Sequence, residues 1–420
     1  MAIQMTASES GKRKMIFNSP VDAKKAVLLT FIAFLFTGFQ AAIYGMLTVP
    51  ISHHFNIDPS RIVFFDSFGL WGQILAMAFG GVIIAKIKGK NTLLVAGILM
   101  IIGSIFSIVA PNIYVYTSMT FLSNMAVGLV LVSCYYMIMG TVTEEGKSEG
   151  TLSILNVFFS GGWMISPIIC GFLIQYFSWL SVFITVAVLF VVFIIFLLSL
   201  NVAELVENWA KEKDKRKENF LSLPLILTAI AFFLFVYVEQ IMNYFNQPYM
   251  QLNLKFPIEL VGTVVTVYAF AQMAGRAFFG KFLLPRVKTH KYIIISGLLF
   301  ALFIMIFLRL HAIAFVFAVI IGLGLADSCM YPSILGYGLD QIGRVSPAAT
   351  AFMVTIGSIG IPAGTAGCGL IGEHFSRPTA MYLGPIFLVI IAILIFIVHR
   401  ISVKRAALVA AAAPVESTQH

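Results

Sequence analysis

Residues 186–200 read VAVLFVVFIIFLLSL, and the chain turns at once to NVAELVENWAKEKDKRKENF at 201–220. The first stretch does not alternate apolar with polar residues, as a membrane β-barrel strand does over about ten residues. Unbroken apolarity suits a helix, which pairs its backbone groups within the segment and tolerates lipid on every side. The second stretch intersperses acids with bases, the pattern of a solvated connecting segment. One membrane helix followed by one charged linker sets the frame for the rest.

Segments long enough to cross the hydrocarbon layer, about 20 residues each as helix, recur on both sides of that linker. The expected spans are 26–52, 60–85, 92–111, 113–140, 150–174 and 178–200 before it, and 223–250, 257–283, 292–310, 311–338, 346–372 and 377–400 after it. Composition agrees, since 60% hydrophobic and only 11% charged residues exceed what one soluble core can hide. The expectation is an all-α polytopic membrane protein with a tail at 1–25, a bundle at 26–200, a linker at 201–222, a second bundle at 223–400 and a tail at 401–420. Each bundle holds six transmembrane helices. The Ala-rich end of the second tail reads as low-complexity and disordered.

The formal charge of +9 is sorted by loop and forms no single basic face, so it points to topology and away from nucleic acid. With the N-terminus inside, the inner segments hold Lys12, Arg13, Lys14, Lys24, Lys25, Lys86, Lys88, Lys90, Lys147, the basic linker, Lys281, Arg286, Lys288, Lys291, Arg344, Arg400, Lys404 and Arg405. The outer ones hold Arg61, Lys255, Arg309 and Arg377. The positive-inside rule then puts both termini in the cytoplasm of a bacterial cell, with the bundle in its inner membrane. No small-residue cleavage site precedes the first span, so that span reads as an uncleaved anchor. Cys134, Cys170, Cys329 and Cys368 fall inside spans and lack metal-ligand spacing; they read as small packing hydrophobes.

The halves resemble each other. CGFLIQYFS at 170–178 recurs as CGLIGEHFS at 368–376, and the same offset brings Pro50 onto Pro248 and Ala33-Phe34 onto Ala231-Phe232. Ser133-Cys134 matches Ser328-Cys329 at a slightly shorter offset. Six spans repeated in parallel imply two bundles related by a pseudo-two-fold axis, the symmetry of rocking secondary transporters.

On this pattern, and on HFNID at 54–58, GKSEGTLSILNVFFSGGWMISPIICGFL at 146–173 and MYPSILGYGL at 330–339, the chain resembles the major facilitator superfamily. It is most similar to the TsgA branch, near the fucose:proton symporters. The resemblance covers residues 20–405 and implies the major facilitator fold, alternating access and coupling to an ion gradient. The superfamily signature G-x-x-x-D-R-x-G-R-[KR] corresponds to GVIIAKIKGK from Gly81, where Ala85 replaces the acid. Fucose symporters place coupling acids in spans one and four. This chain has Gln40 and Tyr44 in span one and no carboxylate in span four, so sugar and proton roles are not carried over. SPIICG at 166–171 is similar to an antiporter Gly-Pro motif, but Ser166 stands where Gly is expected.

Inside the expected spans the charged side chains are Asp66, Glu239, Arg276 and Asp327. An acid at the centre of a membrane helix costs about 2.5–3.5 kcal/mol on insertion scales, so each needs a cavity or a partner. Glu239 is near the midplane of span seven, and Asn243, Asn246 and Gln247 follow at helical spacing, predicting one polar stripe. The stripe faces water or solute, or else the carboxylate is locked in a polar helix contact. Pro248 frees the carbonyl of Tyr244 and predicts a kink. Desolvation disfavours the charged form of a carboxyl group, so Glu239 suits a proton acceptor, neutral when closed off and ionised when its cavity floods. Asp327 is either a second coupling acid or the counter-ion of Arg276; Arg276 itself either serves as a gate or snorkels to the surface. Asp66, near the outer end of span two, is either solvated or part of an outer gate. Further cavity candidates are Gln40, Tyr44, Asn156, Trp163 and Tyr244.

GRAFFGKF from Gly275 approximates a phosphate loop but has Phe282 at the hydroxyl position and no strand before it. All seven histidines sit in loops, tails or span ends, and no acid–histidine pair is embedded where an intramembrane enzyme would need one. The reading is therefore a monomeric transporter of a small polar organic solute, coupled to protons, with no cofactor or metal. The alternatives are proton-antiport efflux of drugs, metabolites or a siderophore, and a solute receptor without net transport.

Overall fold

The computed structural model describes residues 17, 19–141, 148–200, 202, 222–310, 313–341 and 347–412. Most of the expected linker at 201–222 and most of the 1–25 tail lie outside the described residues. Among the described residues, eleven helices are long and apolar enough to cross a membrane. One of them, Pro59–Ile108, has 50 residues with a break at Lys88 (φ 68°, ψ 164°) and makes two crossings. The twelve spans are therefore Pro20–Phe55, the two limbs of Pro59–Ile108, Ile113–Met139, Ser148–Tyr176, Leu180–Ser199, Leu223–Leu252, Ile258–Leu283, Thr289–Phe307, Ile313–Asp340, Pro347–His374 and Arg377–Ala412.

Three boundaries differ from the sequence reading. Span one starts at Pro20, where Ser19 accepts from the Asp22 amide as N-cap and Pro fills the first turn. The basic KIKGK loop shrinks to the single non-helical Lys88. The final helix runs to Ala412, because the Ala-rich tail is strong helix former and simply extends the span.

Alternate crossings gather the turns near 56–58, 110–112, 177–179, 253–257, 308–310 and 375–376 at one end of the molecule, here the distal end. The opposite end, here the terminal end, holds the start of span one at Pro20 and the end of span twelve. Within each half the packing repeats: spans one and five, two and four, three and six in the first half correspond to seven and eleven, eight and ten, nine and twelve in the second. That correspondence is the pseudo-two-fold relation of the sequence repeat. Large apolar side chains such as Phe79, Ile195, Leu198 and Phe315 remain exposed around the outside, as a lipid-facing surface requires.

Between the halves, the most extensive contacts are span two with span eleven and span five with span eight. They are equivalents under the repeat, and each uses the glycine of the duplicated CG motif. A Cβ on Gly369 would lie 2.5 Å from the Phe64 amide nitrogen and 2.7 Å from the Ser60 carbonyl oxygen. One on Gly171 would lie 3.2 Å from the Ile258 carbonyl oxygen. Only a residue without a side chain admits the opposite backbone so closely.

The distal turn HFNIDP is built by its own side chains. Asn56 takes the left-handed conformation (φ 52°, ψ 48°) that ends span one, which Asn tolerates. Asp58 caps span two, accepting from the Ser60 amide at 2.7 Å, and Pro59 opens the helix. Across the halves, Arg377 Nη2 lies 3.2 Å from Asp58 Oδ2 and Arg61 Nη1 lies 3.7 Å from Glu373 Oε1. The distal end is closed.

Candidate functional site

Span seven carries the site because its helix changes pitch. Leu223–Gln240 is α-helical, Ile241–Phe245 is a π-helix, and Asn246–Leu252 resumes the α form. A π turn holds an extra residue, so everything after it is rotated relative to the turns before. The predicted single stripe is therefore split. Glu239 and Asn243 face a cavity, whereas Asn246 and Gln247 are buried, Gln247 in the contact with span one. Gln247 packs on Gly45, where a Cβ would come within 2.4 Å of its amide. Its Nε2 donates to the Asn243 carbonyl at 2.8 Å, occupying an oxygen near the disturbed turn. The irregularity upstream of Pro248 thus takes the form of a π-helix.

The cavity holds about 160 Å³ and is lined by Phe159, Ser160 and Trp163 of span five, Glu239 and Asn243 of span seven, and Ala269, Gln272, Met273 and Arg276 of span eight. It lies between the halves. With about 30 Å³ per water molecule, it has room for a few waters or a compact polar group. Glu239 is partly exposed to it, which removes the alternative of a carboxylate locked between helices.

Beside the cavity, span ten breaks at Ser328–Cys329 between the helices Ile313–Asp327 and Met330–Asp340. The break leaves backbone carbonyls without helical donors, and Arg276 Nε donates to the Ser328 oxygen at 2.9 Å. Arg276 is exposed, and its Nε is tied to the carbonyl next to Asp327, not to that carboxylate. Asp327, 1% exposed, instead accepts at Oδ2 from Tyr268 Oη at 2.5 Å and Gln272 Nε2 at 2.6 Å. Its Oδ1 has no hydrogen-bond partner. Tyr268, Gln272 and Arg276 stand at i, i+4 and i+8 on span eight. That spacing, legible in the sequence, was the signal for Tyr268 and Gln272, which were not among the expected site residues.

Other expected site residues are elsewhere. Asn156 is exposed and accepts from Tyr135 Oη at 3.1 Å, outside the cavity lining. Gln40, Tyr44 and Tyr244 are buried; Gln40 Nε2 donates to Tyr44 Oη at 2.8 Å, and the Tyr44 and Tyr244 rings stack across the halves at 6.5 Å. These two rings are part of the closed contact between spans one and seven. Asp66, 4% exposed, is not solvated.

The Major Facilitator Superfamily model matches residues 29–245 and 228–417. The chain is 23% identical over 334 residues to a protein TsgA homolog of Edwardsiella ictaluri (strain 93-146), covering 79% of this chain and 84% of the relative. It is 22% identical over 385 residues to the protein TsgA homolog of Yersinia pestis (strain Pestoides F), covering 89% and 95%. Among solved structures, the fold is similar to the nucleoside transporter NupG, with TM-score 0.73, 14% identity and coverage of 90% of this chain and 99% of that one. It is also similar to a D-xylose-proton symporter, with TM-score 0.72, 12% identity and coverage of 89% and 97%. The chain belongs to the Major Facilitator Superfamily, on its TsgA branch, and is a multi-pass membrane transporter, not an enzyme.

Proposed function

We propose that the protein moves a small polar organic solute across the bacterial inner membrane by alternating access, in symport with protons, as a monomer with both termini in the cytoplasm. The observation that carries this reading is the cavity between the halves, where Glu239 and Arg276 bring opposite charges. Asn243, Gln272 and Ser160 offer donors and acceptors for hydroxyl, amide or carboxyl groups, and Trp163 and Phe159 offer ring faces. A sugar, nucleoside or small organic acid has this chemistry. The likeness of fold to a sugar–proton symporter and to a nucleoside transporter supports symport of such a solute.

Glu239 is the proton acceptor in this reading and Asp327 the second acid, held by Tyr268 and Gln272 beside the same cavity. Because the distal end is sealed, the cavity exchanges with the terminal end, the cytoplasm under the positive-inside rule. Purified protein in proteoliposomes, screened with labelled sugars, nucleosides and organic acids under an imposed pH gradient, tests the reading. Symport gives accumulation on the alkaline side, antiport efflux gives depletion, and a receptor gives binding without flux. Glu239→Gln should abolish solute-driven pH change and leave solute exchange; proton movement unchanged in that variant sinks the assignment of Glu239.

A further inference from the structure

We propose that Asp66 is a proton-binding site that latches the distal end, holding a proton while the halves are closed over it and releasing it when they part. The proposal rests on the alternating-access reading and adds to it a site apart from the cavity.

Asp66 is two turns into span two, and neither carboxyl oxygen has a hydrogen-bond partner. The Tyr116 hydroxyl lies beside it but outside hydrogen-bonding geometry, and is itself unpartnered. The pocket around the carboxyl is lined by Tyr44, Leu70, Thr120, Asn124 and Tyr244, and has no room for a water molecule. An ionised carboxylate there has no water, and the hydroxyls around it make no hydrogen bond to either oxygen to replace its hydration. A metal cation would need several oxygens arranged around a space of its own. A proton needs no space and leaves a neutral acid.

The link to closure comes from the pocket's composition. Tyr44, Thr120 and Asn124 belong to the first half with Asp66, but Tyr244 belongs to span seven of the second. When the halves part, Tyr244 leaves with its helix and distal water reaches the carboxyl. The O–H bond then breaks, the electron pair stays on the carboxylate and the proton passes to water. The titratable groups facing Asp66 are the phenols Tyr44, Tyr116 and Tyr244. No Lys, Arg, His or second carboxyl lines the pocket. On span eleven, which packs against span two, Glu373 is engaged by Arg61 at the distal surface, and His374 ends the helix there.

The sign follows. A proton held more tightly in the closed state makes acid favour closure and alkali favour opening, with a limit of about tenfold in the open-to-closed ratio per pH unit for one proton. Spin labels at Phe177→Cys and Lys255→Cys, both exposed on opposite halves at the distal end, report the distance by pulsed electron resonance. The four native cysteines are buried and stay in place. The expected result is a long-distance population that grows from pH 5 to pH 9 in the labelled parent and stays small at every pH in Asp66→Asn. Asp66→Ser serves if the amide variant fails to run as a single species by size exclusion. An identical pH profile in the neutral variant overturns the proposal, as does a profile abolished by Glu239→Gln instead. A shift caused by replacing potassium with sodium at constant pH also overturns it in favour of a cation. Distances fixed under all conditions, with and without a screened solute, sink the alternating-access reading itself.

Discussion

Arg377 Nη2 donates to Asp58 Oδ2 at 3.2 Å, joining residues 319 apart in the chain across the seam between the halves. The same Asp58 caps span two through its other oxygen, so one side chain both starts a helix and fastens the distal end. Arg61 and Glu373 make a second, more solvated crossing nearby. Exposed pairs of this kind contribute about 0–1 kcal/mol each, so they bias the closed state without locking it. Arg61→Ala with Arg377→Ala should raise the distal-open population by roughly two- to tenfold, about 0.4–1.4 kcal/mol. Raising salt should move the parent in the same direction. The exchange Asp58→Arg with Arg377→Asp should restore much of the seam's attraction but not the helix cap. Thiol labelling of a cysteine at position 57 measures all of these.

Gly369 and Gly171 are equivalent in the repeat but not in the space they have. A Cβ at 369 strikes the backbone of span two on both sides, whereas at 171 the nearest atom is 3.2 Å away. Gly369→Ala should therefore oppose closure by about 1–3 kcal/mol, the usual cost of overpacking. Gly171→Ala should shift the same equilibrium by less. Equal effects in a distal-end distance measurement would show that the seams are not loaded as these contacts indicate.

The number of crossings and the pairing of the halves were legible because they depend on apolar runs of span length and a duplicated CG motif, whereas the Ser19 cap before Pro20, six residues ahead of the expected start of span one, was passed over. The cavity was legible only in part. Glu239 was visible as a charge in an apolar run, but the π-helix at Ile241–Phe245 leaves no period in the sequence, so Asn246 and Gln247 were assigned to the wrong face. Partners from the opposite half, such as Glu373 for Arg61 or Tyr244 for the Asp66 pocket, depend on how two bundles meet. No spacing along one helix encodes that.

Asp327 depends on two donors from one neighbouring helix, and this makes a prediction about non-additivity. Tyr268→Phe removes one donor and leaves Gln272, so stability should fall by about 1.5–3 kcal/mol, as for a hydrogen bond to a charged group. Tyr268→Phe with Gln272→Leu strips both and leaves a buried acid with no donor, a condition worth about 3–5 kcal/mol. Adding Asp327→Asn to that double variant should recover part of the loss, because the group left behind carries no charge. Thermal unfolding in detergent checks the series; a triple variant no more stable than the double would mean that Asp327 finds another partner.

The split stripe of span seven separates solute recognition from closure. Asn243 lines the cavity with Glu239, whereas Gln247 is fully buried against Gly45 and donates to the Asn243 carbonyl. Asn243→Ala should leave the unliganded melting temperature close to the parent and remove most of the stabilisation a transported solute gives, since a ligand stabilises the state that binds it by about 2.7 kcal/mol at a hundred times its Kd. Gln247→Ala should do the reverse. It opens a void against span one and deprives the π turn of a donor, lowering the unliganded melting point by an amount equivalent to about 1–3 kcal/mol. The ligand-induced shift should survive in that variant. An unbroken α-helix would put both amides on one face and make the two substitutions alike, so solute-dependent melting curves of the pair discriminate between the two geometries of span seven.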